Sequence, residues 1–333
     1  MKRPKPEYHP PEEQLRLFPD ITGNDLNGRG EEALRRPSPI YWHYGSDIKL
    51  PHRALQDYYM KQFEDKPELH DFDKKYGGRG ARQHVERPDV PVEDSPERWA
   101  EKVKSHALSH EGDLVGIARI DPNWVFEGYE LELPWIVMIG VAMDHAEIST
   151  APELPSAVET MAQYNRGTRA ARQVADFIQA QGYEARPHGG PMAGPMTLIP
   201  AAIQAGLGEL GKHGSMINRE YGSSFRLAGV MTNLPLIADA PDDFGADDFC
   251  VSCQVCRNAC PPDAIFDDKQ MVRGERKWFV DFDKCIPFFN DTQGCGICIA
   301  KCPWSRPGVA HSLAQRMTAR RARNASGEHG DHD

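Results

Sequence analysis

The sequence contains no long apolar run and no excess of basic residues. No stretch of eighteen apolar residues occurs among its 333 residues, and the N-terminal MKRPKPEYHPPEEQLRLF lacks an apolar stretch behind its basic residues, so neither a membrane span nor a secretory signal is visible. Lysine and arginine number 39 against 49 aspartates and glutamates, which gives a net charge of −10. Without a basic excess the chain is poorly suited to neutralising phosphates. We expect a cytoplasmic protein that has no membrane span and does not bind nucleic acid.

Two common nucleotide-binding motifs are also missing. No G-x-G-x-x-G follows a predicted strand, and no P-loop lysine is present. A nicotinamide Rossmann site and a P-loop site are therefore not indicated.

The pattern of apolar residues divides the chain into four parts. Residues 1–95 are rich in proline, glycine, acidic and aromatic residues, which predicts an extended wrapping segment, with PIYWHYG as its one concentrated apolar patch. Residues 96–244 alternate between helical and strand-like patterns and predict an α/β core. Residues 245–305 hold the cysteines, and residues 306–333 predict a polar tail. The expected helices are 95–112, 154–183 and 197–211, and the expected strands are 113–120, 135–143 and 225–236.

All eight cysteines fall into two motifs near the C-terminus. The first is C-x2-C-x2-C-x3-C-P and the second is C-x9-C-x2-C-x3-C-P. In such motifs the first three thiolates bind one [4Fe-4S] cluster and the fourth binds its neighbour. We therefore assign one cluster to Cys250, Cys253, Cys256 and Cys302, and the other to Cys285, Cys295, Cys298 and Cys260.

Disulfides and structural zinc are the alternatives for these cysteines. Disulfides fit poorly in a chain without an export signal, and four-cysteine zinc sites usually show two separated C-x2-C pairs. The nine-residue gap after Cys285 departs from the compact spacing of the first motif. Two clusters so close in sequence indicate an electron-transfer chain, which needs an acceptor in the preceding core.

Together, three stretches of this sequence resemble the cobalamin-dependent reductive dehalogenases: GLGELGKHGSMINREYGSSFRLAGVMTNLPL, DFCVSCQVCRNACPPDAI and CGICIAKCPW. The resemblance covers roughly residues 96–305. It implies a nitroreductase-like α/β core that holds a base-off corrinoid, and a ferredoxin-like module that supplies electrons through two [4Fe-4S] clusters. The absence of a D-x-H-x-x-G motif agrees with a cobalt that has no protein nitrogen below it.

The resemblance also implies catalytic residues. Tyr164 matches the position of the family's proton donor, and Thr160 lies one turn earlier on the same helix face. Arg226 is the best match to the family's basic residue, with Lys212 and His213 as competitors. A neighbouring cation would stabilise the phenolate left after proton donation. From the residues alone, a tyrosine in an amphipathic helix is more often a packing residue, and an arginine at the start of a strand is usually a surface charge.

Glycine-rich stretches are the candidates for close contact with the corrinoid, although each could equally be a tight turn. The glycines concerned are Gly189, Gly190, Gly206, Gly208, Gly211 and Gly214. Several aromatic residues are candidates either for lining a cavity or for filling the interior. They are Trp278, Trp304 and the IYWHY patch at 40–44, whereas Trp135 is expected in the core of a strand.

The resemblance implies reductive removal of halide from an organohalide. Because the chain shows neither a visible export signal nor an appended flavin reductase, we expect a separate ferredoxin, flavodoxin or flavin reductase as electron donor. Two alternatives remain open. One is an enzyme similar to epoxyqueuosine reductase, a related cobalamin and two-cluster enzyme of tRNA modification that uses an acidic proton donor. The other is an iron-sulfur electron-transfer subunit.

Overall fold

The computed structural model describes residues 7–43, 49–64, 66–69, 77–80, 85–190 and 194–326. The first six residues, the end of the aromatic patch at 44–45, residues 191–193 of the first glycine-rich stretch and the last seven residues of the expected tail lie outside the described residues.

The described residues form helices around one main sheet. The strands are β1 (Leu114–Arg119), β2 (Trp135–Ala142), β3 (Ala185–His188), β4 (Glu209–Leu210), β5 (Met216–Ile217), β6 (Phe225–Thr232), β7 (Gln270–Val272) and β8 (Glu275–Lys277). The helices are α1 (Glu12–Leu15), α2 (Gly23–Leu26), α3 (Arg53–Glu64), α4 (Pro96–Ser109), α5 (His145–Ile148), α6 (Leu154–Ala180), α7 (Leu198–Gln204), α8 (Ala246–Ser252), α9 (Val255–Ala259), α10 (Phe282–Asp291), α11 (Ile297–Ala300) and α12 (Val309–Ser326). No described helix combines the length and the hydrophobicity needed to cross a bilayer.

The main sheet has the order β1-β2-β6-β3, and neighbouring strands run antiparallel. Its central strand β2 is apolar throughout because both faces of the sheet are covered. Val137 and Ile139 pack into the same core cluster as residues of α4 and α6. The alternate residues Ile136 and Met138 pack with α7 on the other face. The expected α/β core is confirmed, and the three helices and three strands that were predicted begin within two residues of their predicted positions, whereas β3, β4, β5 and α5 were not predicted.

The cluster module is attached to the core through one buried carboxylate. Glu209 of β4 is 8% exposed and accepts hydrogen bonds from the backbone N–H groups of four consecutive residues, 244–247, at distances of 2.7 to 2.9 Å. These donors surround the first turn of α8, which contains Cys250. The glycine-rich stretch that carries β4 is thereby held against the first cysteine helix.

Two expectations about the ends of the chain are wrong. The N-terminal part contains the twelve-residue helix α3, in which Leu55 and Tyr59 are buried at helical spacing. It also docks on α10, where Gln14 bonds to Asn290 and the Gly23 N–H bonds to Asp283. The polar composition of this segment did not reveal that it docks, because its hydrogen-bond partners lie about 260 residues away in sequence.

The C-terminal segment is also more ordered than a polar tail. Val309–Ser326 forms α12, in which Ala310, Ala314 and Met317 are buried. Small apolar residues at this spacing make a narrow buried stripe, and most of the remaining helix surface is polar. The stripe packs in the cluster that also contains Phe244 and Trp304. Although few residues of α12 are apolar, the helix still packs against the cluster module.

Replacing Glu209 with alanine tests the importance of this attachment. Because the change leaves backbone donors buried without an acceptor, we expect Glu209→Ala to lower the free energy of unfolding by about 3 kcal/mol or more. We also expect loss of iron from the module. Denaturant unfolding with iron analysis measures both effects.

Glu275→Ala is the control for this measurement. Its carboxylate is 60% exposed and pairs with Lys277, so its removal is expected to change the stability by less than about 0.5 kcal/mol. Equal midpoints of unfolding for Glu209→Ala and the unsubstituted protein would contradict the role given to Glu209.

Candidate functional site

The first set of thiols lies at the ends of short helices that face one another. Cys250 belongs to α8, Cys256 to α9, and Cys253 lies between them, while Cys302 follows α11. The Cys250 thiol interacts electrostatically with the other three, and burial raises its pKa to about 12. The structure therefore brings together the four cysteines assigned to one cluster, including the one contributed by the second motif.

The second set is assembled in the same manner. The Cys298 thiol interacts with those of Cys295, Cys285 and Cys260, and the Cys285 thiol interacts with those of Cys295 and Cys260. Burial raises the pKa of Cys285 to about 12. Cys285, which a nine-residue gap separates from the rest of its motif, lies in α10 within this set. Cys260 joins it from the first motif.

The two sets differ from a disulfide framework and from a single-ion site. All eight cysteines are free. Among the described residues, no group of three or more His, Cys, Asp or Glu is placed to hold a single metal ion. Thiolates around a four-iron cluster bind separate iron atoms and need not converge on one point.

A cavity of about 700 Å³ lies between α6 and the cluster module. All four thiols of the second set border it, whereas none of the first set does. Much of its wall is aromatic and comes from three distant parts of the chain. These residues include Trp42, Phe63, Trp278, Phe288 and Phe289.

The predicted catalytic residues meet on the wall opposite the second thiol set. Tyr164 and Thr160 project from α6 into the cavity, and Arg226 reaches it from β6. The Arg226 guanidinium carbon lies 5.3 Å from the centre of the Tyr164 ring. The same side chain donates a hydrogen bond to the Thr160 hydroxyl at 3.4 Å. Three residues taken from two separate sequence segments therefore form one group.

The Arg226 side chain has donor capacity left over. Its Nε is buried and has no hydrogen-bond partner among the described residues. A buried N–H of this kind is costly unless a ligand or a water supplies an acceptor. The cavity wall therefore offers a charged donor beside a phenol.

Lys212 and His213, the competitors of Arg226, serve other purposes. Lys212 points away from the cavity, and its Nζ donates to the carbonyl of Val251 at 3.4 Å. His213 borders the cavity, but the Ser215 N–H donates to its Nδ1, so a neutral ring carries its proton on Nε2 and donates to Ser223. Burial lowers the pKa of His213 to about 4, which keeps the ring neutral. Neither residue is placed to assist Tyr164.

Most of the predicted cofactor glycines are explained by contacts within the protein. Only Gly214 borders the cavity, at a φ of +75°. A side chain at Gly208 would collide with the carbonyl oxygen of Ile217, and one at Gly206 would lie 2.7 Å from that of Ala240. Gly189 and Gly211 are similarly close to Thr168 and His213, and Gly190 has a φ of +92° with Thr168 3.6 Å from an added Cβ. These contacts account for the glycines without a ligand, and their role in corrinoid binding stays a prediction.

The aromatic candidates divide between the cavity and the interior. Trp278 and Trp42 border the cavity. Trp304 is 1% exposed and packs in the core of the cluster module, while Trp135 packs against the core cluster of the main sheet. Whether a given tryptophan lines the cavity or fills the interior depends on contacts that the local sequence does not specify.

Tyr59 is a site residue that the sequence analysis missed. It borders the cavity from α3, is buried, and interacts electrostatically with Tyr164 and Arg226. Burial raises its pKa well above the usual value. The spacing of Leu55, Tyr59 and Phe63 gave a helical signal, but it lay in a segment taken as extended.

Comparisons with known proteins agree with a two-cluster module and with the resemblance to reductive dehalogenases. A family model described as a 4Fe-4S dicluster domain matches residues 249–305. Tetrachloroethene reductive dehalogenase of Sulfurospirillum multivorans is 28% identical over 266 residues, which cover 66% of this chain and 52% of the relative. Epoxyqueuosine reductase of Cyclobacterium marinum is 35% identical over 127 residues, which cover 33% of this chain and 37% of the relative.

A comparison with solved structures also finds a reductive dehalogenase. A reductive dehalogenase described in terms of B12-dependent dehalogenation superposes with a TM-score of 0.68 at 25% identity, covering 95% of this chain and 50% of that one. This chain thus spans about half the length of the relatives it matches. The resemblance to reductive dehalogenases and the fold with a C-terminal dicluster domain are confirmed.

The exchange of the last cysteine between motifs can be tested with two double variants. If Cys256 and Cys302 serve one cluster, Cys256→Ala/Cys302→Ala retains about half of the iron. Because Cys256 and Cys260 then serve different clusters, Cys256→Ala/Cys260→Ala loses nearly all of it. Iron analysis and electron paramagnetic resonance of the reduced proteins distinguish the two. The reverse pattern would show that each motif holds its own cluster.

Proposed function

We propose that this chain removes halide reductively from an organohalide, using a corrinoid in the cavity and two [4Fe-4S] clusters in the C-terminal module. The observation that supports the proposal most directly is the shared cavity. It places the Tyr164, Thr160 and Arg226 group on one wall and the second thiol set on another. A proton donor and a source of electrons thereby face the same space.

The residues around the cavity fit a corrinoid. A volume of about 700 Å³ is in the range of cofactor sites, and the aromatic wall suits a large flat ring. We infer that Trp42, Trp278 and Phe289 would pack against the macrocycle and that Gly214 would let backbone approach it. Because both His213 nitrogens are engaged in hydrogen bonds, this histidine has no free nitrogen to offer a metal ion in the cavity. A bound corrinoid supplies reduced cobalt, which drives cleavage of a carbon–halogen bond.

The protein's part in the reaction is to hold and move one proton. Two electrons arrive through the cluster module, the carbon–halogen bond breaks, halide leaves, and the phenolic proton of Tyr164 forms the new carbon–hydrogen bond. The Arg226 guanidinium over the ring stabilises the resulting phenolate, and solvent restores the proton. Thr160 orients Arg226 through its hydrogen bond.

The cavity also suits a poorly solvated substrate. Its aromatic wall offers few partners to water, and burial strengthens electrostatic interactions at Arg226. We infer an organohalide of modest polarity as substrate. A separate ferredoxin, flavodoxin or flavin reductase is proposed as electron donor.

A relative named epoxyqueuosine reductase makes that activity the second candidate. The family resemblance implies an acidic proton donor for it, and the described residues that line the cavity include no aspartate or glutamate. Tyr164 therefore favours dehalogenation. Halide release against deoxygenation of epoxyqueuosine separates the two activities, and a cobalt content near zero would instead favour an electron-transfer subunit.

Tyr164→Phe removes the hydroxyl group that carries the proposed proton and keeps the aromatic ring. We expect kcat to fall by about 10²- to 10⁴-fold with little change in KM, measured as halide release under anaerobic conditions. Tyr183→Phe is the matched control, because its hydroxyl bonds to the Val92 carbonyl outside the cavity. If Tyr59→Phe lost activity while Tyr164→Phe kept it, Tyr59 would be the donor instead.

Arg226→Gln removes the cation beside the phenol. We expect kcat to fall about a hundredfold, with partial recovery in Arg226→Lys, because the charge stabilises the phenolate. Arg119→Gln is the control, since its guanidinium carbon lies 5.7 Å from the centre of the Trp135 ring and forms a similar contact elsewhere. Full activity of Arg226→Gln would remove Arg226 from the mechanism.

A further inference from the structure

Lys212 is a buried lysine beside the first thiol set. Lys212 is 1% exposed, and its backbone N–H donates a hydrogen bond to the Cys250 sulfur at 3.5 Å. Its Nζ donates to the Val251 carbonyl and lies 4.9 Å from the centre of the Trp278 ring. With the Gln254 amide in the orientation that satisfies both of its polar atoms, the amide oxygen also accepts from Nζ at 3.1 Å.

The partners of this ammonium group are neutral. A carbonyl, an amide and an aromatic ring surround it, and no ion pair with a carboxylate joins it among the described residues. A charge buried without a counter-ion is costly unless a nearby anion compensates for it. Asp267 accepts from the Gln254 amide nitrogen and Asp247 accepts from Trp278 Nε1, so both carboxylates bond to partners of Lys212. Lys212 also interacts electrostatically with the Cys256 thiol of the first set.

The second thiol set has a different electrostatic environment. The largest electrostatic effects on Cys285 and Cys298 come from other thiols, and Asp281 adds a further negative charge near Cys285. Hydrogen bonds to sulfur do not explain a difference between the sets. The Lys212 N–H donates to the Cys250 sulfur at 3.5 Å in the first set, and the Ala264 N–H donates to the Cys260 sulfur at 3.4 Å in the second. The buried cation is therefore what distinguishes them.

We propose that Lys212 raises the reduction potential of the cluster held by Cys250, Cys253, Cys256 and Cys302, so that this cluster accepts an electron before the one that borders the cavity. Reduction by one electron adds a negative charge to a cluster. A buried ammonium group a short distance away stabilises that charge strongly because little solvent screens it. The electron comes from an external one-electron donor, and no proton or bond is exchanged.

This inference requires the two clusters but not the dehalogenase activity. It is tested on protein prepared anaerobically with both clusters, without corrinoid or substrate, so that failure of the proposed function does not affect the result. The measurement is a dithionite titration followed by electron paramagnetic resonance, which gives one midpoint potential for each cluster.

Lys212→Gln is the main variant. We expect the higher of the two midpoint potentials to shift to a more negative value, while the lower one stays unchanged. Lys212→Arg, which keeps the charge, is expected to restore most of the original potential. Lys212→Met provides a second neutral variant with a similar side-chain volume, in case glutamine disturbs assembly.

Lys269→Gln is the matched control. The Lys269 Nζ lies 5.5 Å from the centre of the same Trp278 ring, but it is 28% exposed and pairs with Asp247 at 2.6 Å. Its charge is neutralised and screened, so we expect no change in either potential.

Three results in variants that keep both clusters would overturn the proposal. They are unchanged potentials in Lys212→Gln and Lys212→Met, an equal shift of both clusters, and a shift in Lys212→Arg as large as that in the neutral variants. If both neutral variants lose the iron of the first set while Lys212→Arg keeps it, Lys212 is needed for assembly, and the proposal that it orders the reduction of the clusters is also rejected.

Discussion

The junction between the α/β core and the cluster module depends on the Glu209 carboxylate. It accepts hydrogen bonds from four consecutive backbone N–H groups at the start of α8 and thereby fixes the glycine-rich stretch of the core against the first cysteine helix. Lys212 and His213 follow within four residues, so the same attachment places one beside the first thiol set and the other at the cavity. A buried acceptor with this many donors has few alternative arrangements, which makes the junction rigid.

A second constraint closes the cavity from the other side. The N-terminal segment is held on α10 by hydrogen bonds from Gln14 and Asn24 to residues near Cys285. From there the chain continues into α3, whose Tyr59 and Phe63 complete the aromatic wall, with the Tyr59 ring stacked on Phe289. The wall that carries Tyr164, Thr160 and Arg226 belongs to the α/β core, whereas much of the aromatic wall depends on contacts between the two ends of the chain.

Sequence reasoning succeeded where chemistry is encoded in local spacing. The cysteine motifs specified both thiol sets, and the interval between Thr160 and Tyr164 placed them on one face of α6. Sequence reasoning failed where an element is stabilised by residues that are far away in the sequence. The segment that contains α3 is stabilised by partners near the C-terminus, and α12 uses a stripe of small residues that composition does not reveal. The glycine pattern does not distinguish a ligand from a close backbone contact, because Gly206 and Gly208 make room for the protein's own carbonyl groups.

The exchange of cysteines between the motifs has a consequence for electron transfer. Because Cys260 and Cys302 each belong to the opposite motif's set, neither set can form unless both motifs are folded together. The thiols of Cys256 and Cys298 interact across the boundary, so the two sets are adjacent. Only the second set borders the cavity, and electrons that enter at the first set must therefore cross to the second. Two adjacent one-electron carriers together hold two electrons, which is the number that the proposed removal of one halide consumes. A buried cation at the distant carrier favours filling that position first, so that the carrier beside the cavity is reduced when the second electron arrives.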